Sequence, residues 1–331
     1  MTANVPAFTT KSVKDRAMNK REAVLSLLDD TQTPPYIPAA FFLHFPTEFH
    51  EGQAAVEKHI KYFQYTGMDL VKIQYERTFP KIAALQKPED WNKVPRYGAD
   101  FFEGQLKAVE GLVQALKSEA VVIVTLYSPF MCAGQMSGRD VLLQHLKQDP
   151  EAVKKGIEVV TDSLLTFVRG CIELGVDGFY TSTQGGEAGQ FDDPSTFDIA
   201  IQPYDLAVMN EVNEKCLFNI LHVCDYEKGY DDFSRFVSYP GDIVNCPLHV
   251  GDETLTMQAA THLFGRPFMG GLERLGTLAN GTPDEVRQAT KSVLQAAPER
   301  FFLGADCTVP GDTSWDNLKA AIDTAHAWER E

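Results

Sequence analysis

The sequence predicts a single α/β domain of the (β/α)8 TIM-barrel class, preceded by an N-terminal helical extension. Short apolar runs alternate with longer amphipathic segments along the chain, the pattern of strand and crossover helix in a parallel sheet. The strand-like runs number eight, which is the number that closes such a barrel. The chain has 331 residues, enough for a barrel of roughly 250 residues with extensions. No Pro/Ser-rich linker and no internal repeat divides it, so residues 1–331 read as one domain. A doubly wound open sheet competes, but no G-x-G-x-x-G follows the first strand, which counts against it.

Taken in order, residues 1–30 form the extension, helical from about residue 12. Strands are expected at Ile37–His44, Leu70–Tyr75, Val121–Tyr127, Gly178–Ser182, Phe218–Cys224, Ile243–Cys246, Pro267–Gly271 and Phe301–Ala305. Each is a short apolar run of the kind buried on both faces in a parallel sheet. Helix signals fill the gaps. Asp149 is a cap with Pro150 at the first helical position, and the helix runs amphipathically to a terminator at Gly175. Thr282, Pro283 and Glu285 write a capping box.

Composition narrows the function classes. Hydrophobic residues make up 44%, so a large core is available and disorder is excluded. No run of about 20 apolar residues exists to span a membrane. Acidic residues number 46 against 30 basic, a net charge of −16, which repels phosphate backbones and argues against nucleic-acid partners. The first residues lack the apolar centre of a secretory signal, so a cytoplasmic protein is expected. Six cysteines in such a chain are no disulfide framework.

Two of those cysteines stand out by position. "LFNILHVCD" places His222 and Cys224 two apart at the end of the fifth strand, so both share a face and point at the barrel mouth. "FFLGADCTVPGDT" puts Cys307 at the end of the eighth strand, 83 residues beyond Cys224 but on the same rim. His plus two Cys is a ligand set of catalytic zinc, with one position left open. Core packing is the competing reading of each residue alone.

The sequence resembles the uroporphyrinogen decarboxylase superfamily, and within it the zinc-dependent corrinoid:thiol methyltransferases of the coenzyme M type. "MNKREAVLSLLDD" resembles the family's opening helix, and "FMGGLERLGTLANGTPDEVRQATKSVL" its seventh-strand segment and following helix. "LHVCD" resembles H-x-C-G, and "LGADCTVPGDTSWDNLKAAID" resembles G-C-x-x-P-x-x-T-P-x-E-N. The resemblance implies that His222, Cys224 and Cys307 hold Zn2+. It also implies that the methyl donor is a corrinoid (methylcobalamin), carried on a partner protein, and the acceptor a small thiol. Asp225 stands where the methyltransferases have Gly, and Ser314 and Asp316 replace Pro and Glu, with Trp315 between them. Uroporphyrinogen decarboxylases proper carry R-Q-A-G-R after the first strand. Here "FFLHFPTEFHEG" holds no arginine, which argues against a substrate with eight carboxylates.

Further rim candidates follow. His44 ends the first strand, Glu76 follows the second, and Glu187 lies in the loop "TSTQGGEAGQF" after the fourth; these are the catalytic candidates. Gly270 and Gly271 are candidates for a phosphate-binding corner, with close backbone packing as the alternative. Cys132, Cys171 and Cys216 read as packing, and Cys246 as a residue able to face the pocket. The expected activity is methyl transfer from a corrinoid to a thiol or similar acceptor, by a monomer or homodimer. A decarboxylase of a smaller acid and a non-catalytic zinc-containing binding protein are the alternatives.

Overall fold

A computed structural model describes residues 19–329. The expected extension before Asn19 lies outside the described residues. Among the described residues nine strands form: β1 Leu70–Ile73, β2 Val121–Tyr127, β3 Gly178–Thr183, β4 Ile220–Val223, β5 Ile243–Asn245, β6 His249–Val250, β7 Glu253–Thr254, β8 Phe268–Leu272 and β9 Phe301–Ala305. Seven make one sheet in the order β1-β2-β3-β4-β5-β8-β9. Every pair in it is parallel. β6 and β7 make a small antiparallel hairpin that the sequence pattern did not announce. Strands β1 and β3 to β5 are buried at every residue, as expected for a sheet with helices outside and a packed interior.

The first expected strand, Ile37–His44, does not form as a strand. It makes isolated parallel bridges, Ala39 to Leu303 and Leu43 to Val309. Pro38 lacks the N–H that a continuous ladder requires. The segment still touches both edges of the sheet. Leu303 N donates to Pro38 O at 2.8 Å and Ala40 N to Leu303 O at 3.1 Å, while Asp69 N donates to Ala39 O at 3.0 Å. The β9 and β1 edges therefore meet on one stretch of chain, and the sheet is curled.

Helices cover the outside as their sequences direct. Pro150–Glu173 starts where Asp149 accepts from Ala152 N. It buries Val153, Ile157, Val160, Leu164, Phe167 and Cys171, a stripe at helical spacing. The Thr282–Glu285 capping box forms before Pro283–Gln295. The N-terminal helix Lys20–Leu25 sits at the amino ends of the strands. Arg21 pairs in a fork with the buried Asp177, which directly precedes β3, at 2.5 and 2.6 Å. Lys20 Nζ donates to the carbonyls of Gly67 and Met68 before β1. The opposite end, where the strands finish, is left free for chemistry.

Candidate metal centre

Register brings the functional side chains together. His222 of β4 stands level with Ser182 of β3 and Asn245 of β5. Cys224 lies one turn of the pleat beyond, and Cys307 follows β9 across the sheet. The three ligand atoms of His222, Cys224 and Cys307 lie within 4.8 Å of one another, and all three residues are buried. His222 Nε2 is 3.4 Å from Cys307 Sγ, and the two sulfurs are 4.0 Å apart. A tetrahedral zinc with bonds of about 2.3 Å to sulfur and about 2.0 Å to nitrogen sets S···S edges near ~3.8 Å and N···S edges near ~3.5 Å. The His222–Cys307 and Cys224–Cys307 spacings match those edges.

The ligands are held from behind. His222 Nδ1 lies 3.3 Å from Asn245 O; a proton donated there leaves the Nε2 lone pair facing the sulfurs. The imidazole stacks on Tyr180 with ring centres 4.9 Å apart. Tyr180 Oη donates to Asn245 Oδ1 at 2.5 Å, and Asn245 Nδ2 donates to Met269 O and Ala305 O at 2.9 and 3.0 Å. Gln184 Nε2 donates to Cys224 Sγ at 3.5 Å. The Cys307 thiol is held well below the ordinary range, first by its hydrogen bond with Cys224, then by His222 and Arg274. Cys224 is pushed up by the same hydrogen bond and by burial. A cation bound there would favour the thiolate form of both cysteines.

A cavity of about 610 Å3 opens above the cluster and includes His222, Cys224 and Cys307 in its lining. His44 and Glu76 also line it. They engage each other, His44 Nδ1 lying 2.9 Å from Glu76 Oε1. Neither joins the three-residue group among the described residues. Glu187 is buried in an ion pair with Arg139 at 2.5 Å and accepts from Gly185 N at 2.7 Å. It faces the cavity only through Arg139, which lines it and donates to Gln184 Oε1 at 2.7 Å. Gly270 and Gly271 have positive φ of 151° and 104°. A Cβ on Gly271 would stand 2.4 Å from Val293 Cγ1, so close packing explains that glycine. Cys132, Cys171 and Cys246 are buried and unpaired, Cys216 half-buried. Asp225, one of the departures from the methyltransferase motif, pairs with Arg274 at 3.0 Å.

Sequence reasoning missed Lys72. It lies in β1, is buried, and lines the cavity. Its Nζ sits 4.6 Å over the rings of both Phe42 and Tyr180. Burial pulls the ammonium down to about 7, against the upward pull of Cys307, Glu76 and Cys224. The available signal was a lysine inside the apolar run "DLVKI".

Fold and cluster define a class first: a parallel α/β protein with a buried His–Cys–Cys donor set at its strand ends. The family follows from comparison. The family model described as Uroporphyrinogen decarboxylase (URO-D) matches residues 63–328, and the chain belongs to that family. Among curated proteins it is similar to a methylcobamide:CoM methyltransferase, MtbA, of Methanosarcina mazei. The two are 24% identical over 252 residues, covering 73% of this chain and 69% of the relative. A methylated-thiol–coenzyme M methyltransferase of the same organism is 21% identical over 226 residues, covering 66% of this chain and 58% of the relative. Among solved structures, a methyltransferase from Methanosarcina mazei superposes with a TM-score of 0.74 at 12% identity, covering 93% of this chain and 98% of the other. A B12-independent methionine synthase from Shewanella superposes at 0.53 with 12% identity, covering 87% and 97%. These structural matches support the fold. No helix of the described residues is long and apolar enough to cross a membrane.

Proposed function

We propose that the chain is a zinc-dependent methyltransferase that moves a methyl group from a corrinoid, carried by a partner protein, to a thiol or similar small acceptor. The observation that carries the reading is the convergence of His222, Cys224 and Cys307 on a cavity, with their three donor atoms within 4.8 Å of one another. The relatives' methyltransferase names support it. We read the curled sheet as a (β/α)8 barrel that the 38–43 segment closes, and the protein as cytoplasmic.

Bound zinc would supply Lewis acidity that keeps an acceptor thiol ionised at neutral pH. The chain's own residues do the rest. Asn245 O fixes the His222 tautomer, and Tyr180 fixes the ring plane. Gln184, itself held by Arg139, donates to Cys224, so the sulfur is oriented by a hydrogen bond within a buried pocket. Glu76, which lines the cavity beside His44, is the group we assign to take up the proton that the entering thiol releases.

The test is a methyl-transfer assay with methylcobalamin and a panel of small thiols, including coenzyme M and homocysteine. The expected result is cob(I)alamin and a thioether from at least one thiol, abolished by His222→Ala. A protein that retains zinc but transfers no methyl group to any thiol contradicts the proposal.

A further inference from the structure

Lys72 is a buried charged side chain of the cavity that the site described so far leaves unused. It is 5% exposed. Among the described residues its Nζ has no hydrogen-bond partner. The faces of Phe42 and Tyr180 lie 4.6 Å from it, and the counter-charges around it, Cys307, Glu76 and Cys224, act on it without a hydrogen bond. The other cavity cations are satisfied: Arg139 by Glu187 and Arg274 by Asp225. Glu76, four residues along the chain, is engaged by His44 at 2.9 Å, and among the described residues it makes no hydrogen bond to Lys72. An ammonium withdrawn from water and left without a hydrogen-bond partner is incompletely compensated. A cavity that keeps such a group open is built to receive its counter-charge from a ligand.

We propose that Lys72 is the anion-recognition residue of the substrate cavity, and that the small molecule bound there carries an oxyanion, a carboxylate or a sulfonate, at the end that enters against β1. The inference deepens the methyl-acceptor reading and rests on it only for the chemistry at the opposite end of that molecule. Tyr180 links the two ends, since its ring takes Lys72 on a face and stacks on His222. The ammonium and the donor cluster are thus neighbours through one ring, and a compact ligand reaches both. Phe42 and Tyr180 exclude water from the ammonium, which strengthens its pull on an anion relative to a surface lysine.

The experiment uses probes that carry the charge without a thiol. Butyrate and propanesulfonate, with butyramide and butanol as uncharged counterparts, are titrated into the metal-free full-length protein by calorimetry and ligand-observed NMR. A hydrogen bond to a charged group corresponds to roughly ten- to a hundredfold in affinity. Wild type should bind one or both oxyanions at least about tenfold more tightly than the uncharged counterparts, and Lys72→Met should erase that preference. Which oxyanion binds more tightly separates a carboxylate substrate from a sulfonate one. Equal binding of butyrate, propanesulfonate and butyramide by wild type overturns the inference, and this arm holds even if Lys72→Met does not fold. A Lys72→Met protein that keeps the anion preference but loses zinc also overturns it, because Lys72 would then balance the metal centre. The inference and the methyl-transfer proposal fail separately. Oxyanion binding without thiol ligation sinks only the latter, and thiol ligation blind to charge sinks only the former.

Discussion

Replacing Asn245 by Leu should damage stability and the metal centre together. The Asn245 side chain is a buried junction for three elements. It accepts from Tyr180 Oη of β3 at 2.5 Å and donates to Met269 O of β8 and Ala305 O of β9 at 2.9 and 3.0 Å. Leucine has similar bulk and none of these bonds. Tyr180 Oη then loses its acceptor in a fully enclosed place, and two carbonyls lose a donor. Each buried group left unsatisfied costs about 1–3 kcal/mol. Three of them give roughly 3–9 kcal/mol, reduced where a carbonyl keeps its ladder bond. That is a large share of the ~5–15 kcal/mol stability of an ordinary domain. The same change frees the Tyr180 ring that stacks on His222 and the strand end two residues before Cys307. Zinc affinity should therefore fall by roughly ten- to a hundredfold, the usual effect of losing support behind a ligand. Urea unfolding followed by circular dichroism measures the first effect, and competition with a chromophoric chelator the second. Stability within about 1 kcal/mol of wild type, together with unchanged zinc affinity, would refute the reasoning.

Asp205 is buried, accepts from Thr183 at 2.5 Å, and is raised to about 8 by burial. Its unfolded carboxyl ionises near pH 4, so its contribution is intact below that pH and is lost as pH rises toward 8. Asp205→Asn should therefore raise the melting temperature at pH 7–8 and leave it nearly unchanged at pH 4, read by scanning calorimetry. Arg21→Ala leaves Asp177 buried without its fork partner and should cost about 2–4 kcal/mol in denaturant unfolding. Uroporphyrinogen should not be decarboxylated, because both cavity arginines are already ion-paired; saturable turnover of that tetrapyrrole in a spectrophotometric assay would contradict this.

Much of the scaffold was legible because parallel strands buried on both faces read as apolar runs. Seven of the eight expected runs form strands of the main sheet, with ends shifted by a residue or two. The exception, Ile37–His44, is as apolar as the others but pairs only through isolated bridges at Ala39 and Leu43, and Pro38 removes one ladder donor from it. His222, Cys224 and Cys307 were legible as a group because strand ends share a rim whatever their separation in sequence. Their supports were not. Tyr180, Asn245 and Gln184 reach the cluster through sheet register, and nothing local in their sequence marks it. Glu187 was read as a rim carboxylate, but Arg139, which is 48 residues away, holds it in a buried pair. Lys72 hid in an apolar run because its partners are aromatic faces from other elements.

The most direct test of the central claim is metal analysis coupled to X-ray absorption on protein purified without chelator. The account predicts about one zinc per chain, bound by one nitrogen and two sulfurs from the protein, with a further sulfur appearing when the acceptor thiol is added. Cys224→Ala and Cys307→Ala should each lose the metal. Full zinc retention in both variants, or a four-ligand shell that no thiol alters, would contradict it.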